Sequence, residues 1–452
     1  MAPWQQITKN TYSRPIGENE KFIKLIGDPG HAINREHWAI NSIAKVEIKG
    51  RLDDTITSQL RKAWGHLRFH HPSLAAYPDG DNLIYKVPAP NELQDWVERT
   101  FWIAHGAMSA AQVISTLKPD ESATLIFIPT SGELLGHTAH WRTDGVGVLL
   151  LMDALLKLAV EKDLGEPSDL PWGQEVKRLA PSIEDAANVP KELNQNQQAL
   201  GRALVGTFAL AEGAVGIPFS ASIPRGTGSA ISILSPNQTK DLVNAVKGKN
   251  ISVTAAVHAS IAFANWKLAD NNRRNQHYTS TVRFSLRPYL PEPFSSPAYA
   301  SGLYTTGWME KVEPTRSWDE IATYFDGLYK RGISSDYLRA HREYAKGLGD
   351  MLRSLPSDLP PASDVDISSI GVAEDLIRRE YGSDDWGLEV KAVSVGVEML
   401  TPQAVCFVWT FRDQLNLNVV YNEAFHEREQ MQQFVETVKS ILLSQLGLEE
   451  SN

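Results

Sequence analysis

The chain has 452 residues, 44 basic against 54 acidic side chains for a formal net charge of −10, 42% hydrophobic and 22% charged residues, and a single cysteine. At about 100–200 residues per domain this length fits two or three domains or one fold repeated. The average composition argues against a disordered chain, a fibre or a disulfide scaffold. An acidic balance without a long basic run also argues against a nucleic-acid partner, because phosphate binding needs clustered Lys and Arg.

In chain order, SIAKVEIKG alternates like a strand, and residues 51–67 carry apolar side chains at helical spacing with Asp53 and Asp54 near the start. DNLIYKVP is predicted as a strand, PNELQDWVERTF as a helix, and ATLIFIPT with ELLGHTAHWRTDG as two strands around a turn at Ser131 and Gly132. A long apolar helix begins near Gly145. It is broken by Asp153 and too short to span a bilayer, and the first fifteen residues lack the apolar core of a signal peptide. A soluble, cytoplasmic, monomeric protein with no membrane span is therefore expected. Residues 165–228 turn rich in Pro, Gly, Asn and Gln and read as a connecting segment with some helical content.

A second strand-and-helix set follows. SAISILS is a strand, Ser235 or Asn237 caps the next helix, and SVTAAVHASIAFANWKLA is a helix of small residues suited to close packing. HYTSTVRFSL is a strand leading into a Pro-rich loop. Helices are predicted around 318–331 and 336–355, strands at DISSIG, LEVKAVSVGVEM, AVCFVWTF and LNLNVVY, and a last helix over about 427–446. Both halves mix strands and helices at similar length. The economical architecture is α/β with mixed sheets: two lobes, 1–215 and 216–452, joined by a crossover.

Common catalytic signatures are absent from the sequence: no phosphate-binding glycine loop, no dinucleotide fingerprint, no G-x-S-x-G elbow, no H-E-x-x-H and no cysteine pair for zinc. No metal is expected. What remains is AHWRTDGVG, in which His140 is followed four residues later by Asp144 and then by Gly145 at the start of the long helix. A histidine at a strand end before a turn and helix can project into a cleft. The same string also suits a hydrogen-bonded core histidine with Asp144 capping the helix. His137 is expected on the opposite face of the strand in a structural role, and His258 to pack inside its small-residue helix. His70 and His71 are expected to satisfy carbonyls at a helix end, and Cys406 to be a core residue.

His140 to Gly145 resembles the HxxxDG motif of the chloramphenicol acetyltransferase-like superfamily, which includes plant BAHD acyltransferases, carnitine and dihydrolipoyl acyltransferases, fungal trichothecene acetyltransferases and peptide-synthetase condensation domains. LRKAWGHLRFHHPSL, WGQEVKRLAP, the helix pair from Leu234 to Ala264, RFSLRPYLPEP and ISSIGV match the pattern along nearly the whole chain. Among these groups the sequence most resembles the fungal trichothecene 15-O-acetyltransferase-like enzymes. The resemblance implies a tunnel between two lobes in which acyl-CoA, as co-substrate rather than bound cofactor, meets a hydroxylated metabolite.

On that resemblance His140 is general base and then acid without a covalent acyl-enzyme. Asp144 holds the motif in shape through an arginine, with Arg287 first and Arg283 second, and Gly145 allows close approach of the thioester. Ser368 or Ser369 would donate to the oxyanion. Trp141 and Trp386 are candidate acceptor-pocket residues. SDDWGLE only partly echoes the D-F-G-W-G of BAHD enzymes, and Ala139 stands where condensation domains usually have a second His. The first departure sets the chain apart from the plant group, and the second favours a free-standing O-acyltransferase over a carrier-protein condensation enzyme. The expected activity is an acyl-CoA-dependent O-acetyltransferase of specialised metabolism acting on a terpenoid or polyketide alcohol. The alternatives are a condensation-domain-like enzyme performing CoA-independent cyclisation or dehydration, and a scaffold with a degenerate site.

Overall fold

The computed structural model describes residues 4–356 and 359–449. Helices and strands form mixed α/β layers in two compact units, and both units are discontinuous in sequence. The first comprises Met1–Glu192, Ser285–Thr305 and Glu374–Val397, and the second Leu193–Phe284, Thr306–Ala373 and Glu398–Asn452. These units differ from the expected lobes 1–215 and 216–452, since two later segments fold with the N-terminal part and residues 193–215 with the C-terminal part. Periodicity identifies a strand but not its partner, and here the partner is remote in sequence.

The first unit is organised by a six-stranded sheet in the order Glu380–Ser383, Trp386–Val397, Ile40–Gly50, Glu133–Thr138, Thr124–Ile128, Phe101–Ile103. The predicted strand LEVKAVSVGVEM is the one that crosses over: Trp386–Val397 pairs antiparallel with Ile40–Gly50 along its full length, from Trp386 opposite Gly50 to Val397 opposite Ile40. Helices Ile56–His70 and Gly145–Ala159 pack together, the latter also against the sheet. Asp153, the one acid inside the apolar helix, accepts from the Tyr381 hydroxyl at 2.7 Å and pairs with Lys157, which ties the helix to the edge hairpin. A separate four-stranded sheet is built from Gln5–Thr8, Thr11–Pro15, Asn82–Lys86 and Tyr77–Asp79. The first, second and last of these short strands lack a clear apolar alternation and were not predicted.

The second unit has a four-stranded sheet in the order Val365–Val372, Ala404–Phe411, Gln414–Asn422, Thr227–Ile233, its first pair parallel and the others antiparallel. Helix Val253–Leu268 lies at the centre of the core, where Ala255, Ala256, Ala259, Ala262 and Ala264 are fully buried and allow other helices to approach closely. Helix Pro236–Gly248 is capped by Ser235, whose hydroxyl accepts from the Gln238 amide at 3.2 Å. Cys406 lies in this core, where burial pushes its thiol up to about 12. No helix among the described residues is long and apolar enough to cross a membrane.

Three imidazoles are held neutral by burial. His71 is pushed down to about 3, His137 to about 4, and His258 well below its ordinary value. Unfolding exposes them to water, where each binds a proton near pH 6.5, so below that pH the unfolded chain holds more protons and stability falls. Between pH 7.5 and 5.5 His71 and His137 each contribute about 1.3 kcal/mol of loss, while the buried Asp364 carboxyl, pushed up to about 7, opposes them by taking up a proton in the folded state over the same range. H137N should therefore make the urea midpoint fall less, or rise more, on acidification than it does in the wild type. An unchanged pH dependence in H137N would contradict the assignment.

Candidate active site

Strand Glu133–Thr138 pairs with Ile40–Gly50, with Thr138 opposite Ile40. Beyond Thr138 the chain makes a tight turn at His140–Arg142 and enters helix Gly145–Ala159. His140 is thus two residues past the strand rather than within it, and is half-buried. The turn is fixed by Arg142, whose guanidinium donates to Thr138 Oγ1 at 2.8 Å, to the Ala76 carbonyl at 2.9 Å and to the Glu121 carbonyl at 2.6 Å. Full burial lowers the Arg142 pKa to about 10. None of those three acceptors is a carboxylate.

Asp144 is the N-cap of the apolar helix and is buried. Its Oδ1 accepts from the Gly147 amide at 2.8 Å and its Oδ2 from the Tyr304 amide at 2.8 Å. Arg287 Nη2 approaches Oδ2 at 3.1 Å and Oδ1 at 3.3 Å, and also the carbonyls of Ala300 and Gly302 at 3.2 and 3.1 Å. Two hydrogens on one nitrogen are therefore shared among four oxygens. The guanidinium also lies 5.0 Å from the centre of the Tyr304 ring, a cation–π arrangement. The carboxylate is engaged by an arginine and two backbone amides, which makes it a brace for the turn.

The second arginine named from the sequence goes elsewhere. Arg283, in strand Tyr278–Ser285, pairs with Asp366 at 2.8 Å and donates to the Ile367 carbonyl at 2.6 Å inside the second unit. Arg287 instead opens a 3-10 turn past the strand end, so the assumption that an extended backbone points both side chains the same way fails. Ser368 and Ser369 also lie in the second unit, on strand Val365–Val372. Ser368 is half-buried, while the exposed Ser369 has its hydroxyl 2.9 Å from Thr254 Oγ1.

Two aromatic assignments need correcting. Trp141 is buried, with the Arg142 guanidinium 4.4 Å and the Lys24 ammonium 5.5 Å from its ring centre, so it packs between cations instead of lining open space. Trp386 donates its indole N–H to the Val160 carbonyl at 2.9 Å and lies opposite Gly50. Gly50 and Ile40 are ends of one strand, roughly 33 Å apart at about 3.3 Å per residue. Since His140 follows from the Ile40 end, Trp386 belongs to the far end of the sheet.

Of the other histidines named from the sequence, three are buried. His137 is buried, with Nδ1 2.9 Å from Asn41 Oδ1, and it borders an apolar cavity of about 40 Å³ beneath the two packed helices. His258 stacks on Phe325 at 3.5 Å. His71 is buried and His70 exposed. Among the described residues Asp28, His31 and Glu36 bring three ligand atoms within 4.8 Å, but Asp28 already pairs with Lys24 at 3.2 Å and Glu36 with His31 at 3.4 Å.

Sequence reasoning missed Thr143, Gly147, Tyr304 and Trp38. Thr143 donates its hydroxyl to the Ala300 carbonyl at 2.7 Å, and the rings of Trp38 and His140 are 6.3 Å apart. Beside Gly145, expected to admit the thioester, Gly147 is crowded by the protein itself: a Cβ there would overlap Thr143 Oγ1 and the Ala300 carbonyl and come within 2.7 Å of Arg287 Nη2. The extra glycine was visible in DGVG, but its requirement arises from a loop more than 150 residues later in the chain. G147A is expected to lose about 1–3 kcal/mol through overpacking, together with most activity. Thermal unfolding and an activity assay check this, and wild-type values for both would show that the loop can retreat.

No protein-family model matches the chain. It is 42% identical over 454 residues to the acetyltransferase pigO of Monascus ruber, covering 99% of each chain. Its fold matches the trichothecene 15-O-acetyltransferase TRI3 of Fusarium sporotrichioides with a TM-score of 0.84 over 98% of each chain, at 18% identity. The first condensation domain of the calcium-dependent antibiotic synthetase shares the fold at a TM-score of 0.63 and 12% identity, covering 95% of this chain and 97% of that one. With the HxxxDG segment in place at the head of its helix, the chain belongs to the acetyltransferase family that includes pigO.

Proposed function

We propose that the protein transfers an acetyl group from acetyl-CoA to a hydroxyl group of a specialised metabolite, with His140 as the proton-transfer group. The observation that carries this is the division of labour in the motif: Asp144 is held by Arg287 and two backbone amides as the brace of the turn, which supports His140, half-buried in the same turn, as the acid–base group. The acceptor oxygen attacks the thioester carbonyl as the imidazole takes its proton. The tetrahedral intermediate then breaks its C–S bond, and the proton passes to the departing thiolate. One imidazole serves both steps, and no acyl-enzyme is needed.

Following free thiol release from acetyl-CoA with a panel of terpenoid and polyketide alcohols tests the proposal. Turnover that depends on both components supports it, and no release with any alcohol overturns it. Calorimetry with CoA separates it from CoA-independent cyclisation or dehydration. A ligand at about 100 times its dissociation constant should stabilise the fold by about 2.7 kcal/mol, whereas an enzyme that never meets CoA shows no shift.

A further inference from the structure

We infer that Trp38 selects the acceptor, as the wall beside His140 against which a flat, aromatic or conjugated alcohol stacks. The inference rests on the acetyl-transfer reading above and adds the class of acceptor.

Register places the two rings together. Ile40 is opposite Thr138 and Asn41 opposite His137, so extending each chain by two residues puts Trp38 opposite His140. The regular pairing has ended there, yet the rings remain cross-strand neighbours, with centroids 6.3 Å apart and planes inclined by 50°.

The backbone at Trp38 has φ +66. Among the described residues the other non-glycine positions with positive φ are Asn, Asp or Arg, and Asn and Asp tolerate this region through short polar side chains. A bulky aromatic residue is a true outlier there, and such strain persists where the surroundings over-determine it, which happens most at functional sites. The surroundings here are explicit. Ala39 is fully buried and its amide donates to the Glu36 carbonyl at 3.1 Å, while the His37 amide donates to the Gly27 carbonyl at 3.4 Å. Glycine or asparagine would hold this turn at lower cost, so the indole is retained for what its ring does.

Its burial points the same way. Trp38 and His140 are both half-buried. With the His37 ring 5.5 Å from its centre and the His140 ring at 6.3 Å, the half-buried indole offers the rest of its flat apolar surface to whatever the imidazole deprotonates. Offset stacking favours planar partners over puckered ones of equal size by roughly 3- to 10-fold.

The test uses acetyl-CoA with naphthalen-2-ylmethanol and its fully saturated decahydro counterpart, measuring thiol release. The wild type is expected to favour the flat alcohol in kcat/KM by roughly 3- to 10-fold. W38A and W38G should remove the preference, W38F should keep most of it, and KM for acetyl-CoA should stay within about twofold in all three. W38G relieves the backbone strain and serves as the folding control. No preference in the wild type, a preference that survives W38A, or equal losses for both alcohols would overturn the inference, the last by making Trp38 a prop for the imidazole alone. A wild type that acetylates other alcohols but not the flat one also overturns it and leaves the acetyl-transfer reading intact. Absence of thiol release with every alcohol overturns that reading instead, and this inference with it.

Discussion

R287M is expected to destabilise the protein by about 3–5 kcal/mol and to abolish acetyl transfer. The figure is the cost of breaking a buried ion pair from one side, which leaves an uncompensated charge in a dry site. Arg287 and Asp144 have side chains only 7% and 4% exposed, so neither can turn to water without moving the turn. The loss reaches further than one pair. Arg287 Nη2 also holds the carbonyls of Ala300 and Gly302, and the loop that carries them supplies the Tyr304 amide to Asp144. R287K keeps the charge but loses the guanidinium plane beside the Tyr304 ring, so it should lose less stability and recover part of the activity. D144N keeps one carbonyl oxygen for two backbone donors, leaving the Gly147 or the Tyr304 amide unpaired. Urea unfolding of the single variants and of the double variant R287M/D144N measures the coupling. Additive losses would mean that the two side chains do not act as a unit.

Most of the elements near the motif were legible in the sequence because they are governed by local rules. The alternation in Ile40–Gly50 and the apolar run of Gly145–Ala159 each declare themselves within a few residues. In the second unit the sequence narrowed a helix cap to Ser235 or Asn237, and Ser235 fills it. The pairing of Asp144 with Arg287 was named through family resemblance, and spacing alone could not choose between Arg287 and Arg283, since that depends on where strand Tyr278–Ser285 stops. Ser368 and Ser369 were undecidable for a similar reason: alternation assigns them to opposite faces but does not say which face is which. Trp386 was misassigned because a sequence echo carries no register, and eleven paired residues separate the two ends of its strand. Trp38 left no local signal. It becomes visible only once Ile40 is known to face Thr138, because the pairing rule then carries it to His140.

H140A is expected to reduce acetyl transfer by 100-fold or more while leaving the fold intact. Positioned acid–base catalysis is worth about 10²–10⁴ in rate, and here one side chain would supply both proton transfers. The fold should survive because the turn is held by its neighbours. Arg142 binds Thr138, Ala76 and Glu121, Thr143 binds Ala300, and Asp144 caps the helix, all without the imidazole. The melting temperature of H140A should therefore stay close to that of the wild type, in contrast with R287M, where stability and activity fall together. The contrast between the two variants is the informative result: loss of activity without loss of stability places chemistry at His140, and loss of both places support at Arg287. H140Q, which keeps a polar side chain of similar reach but cannot carry a proton between two partners, should be as inactive as H140A. Full activity in either His140 variant would remove the imidazole from the mechanism.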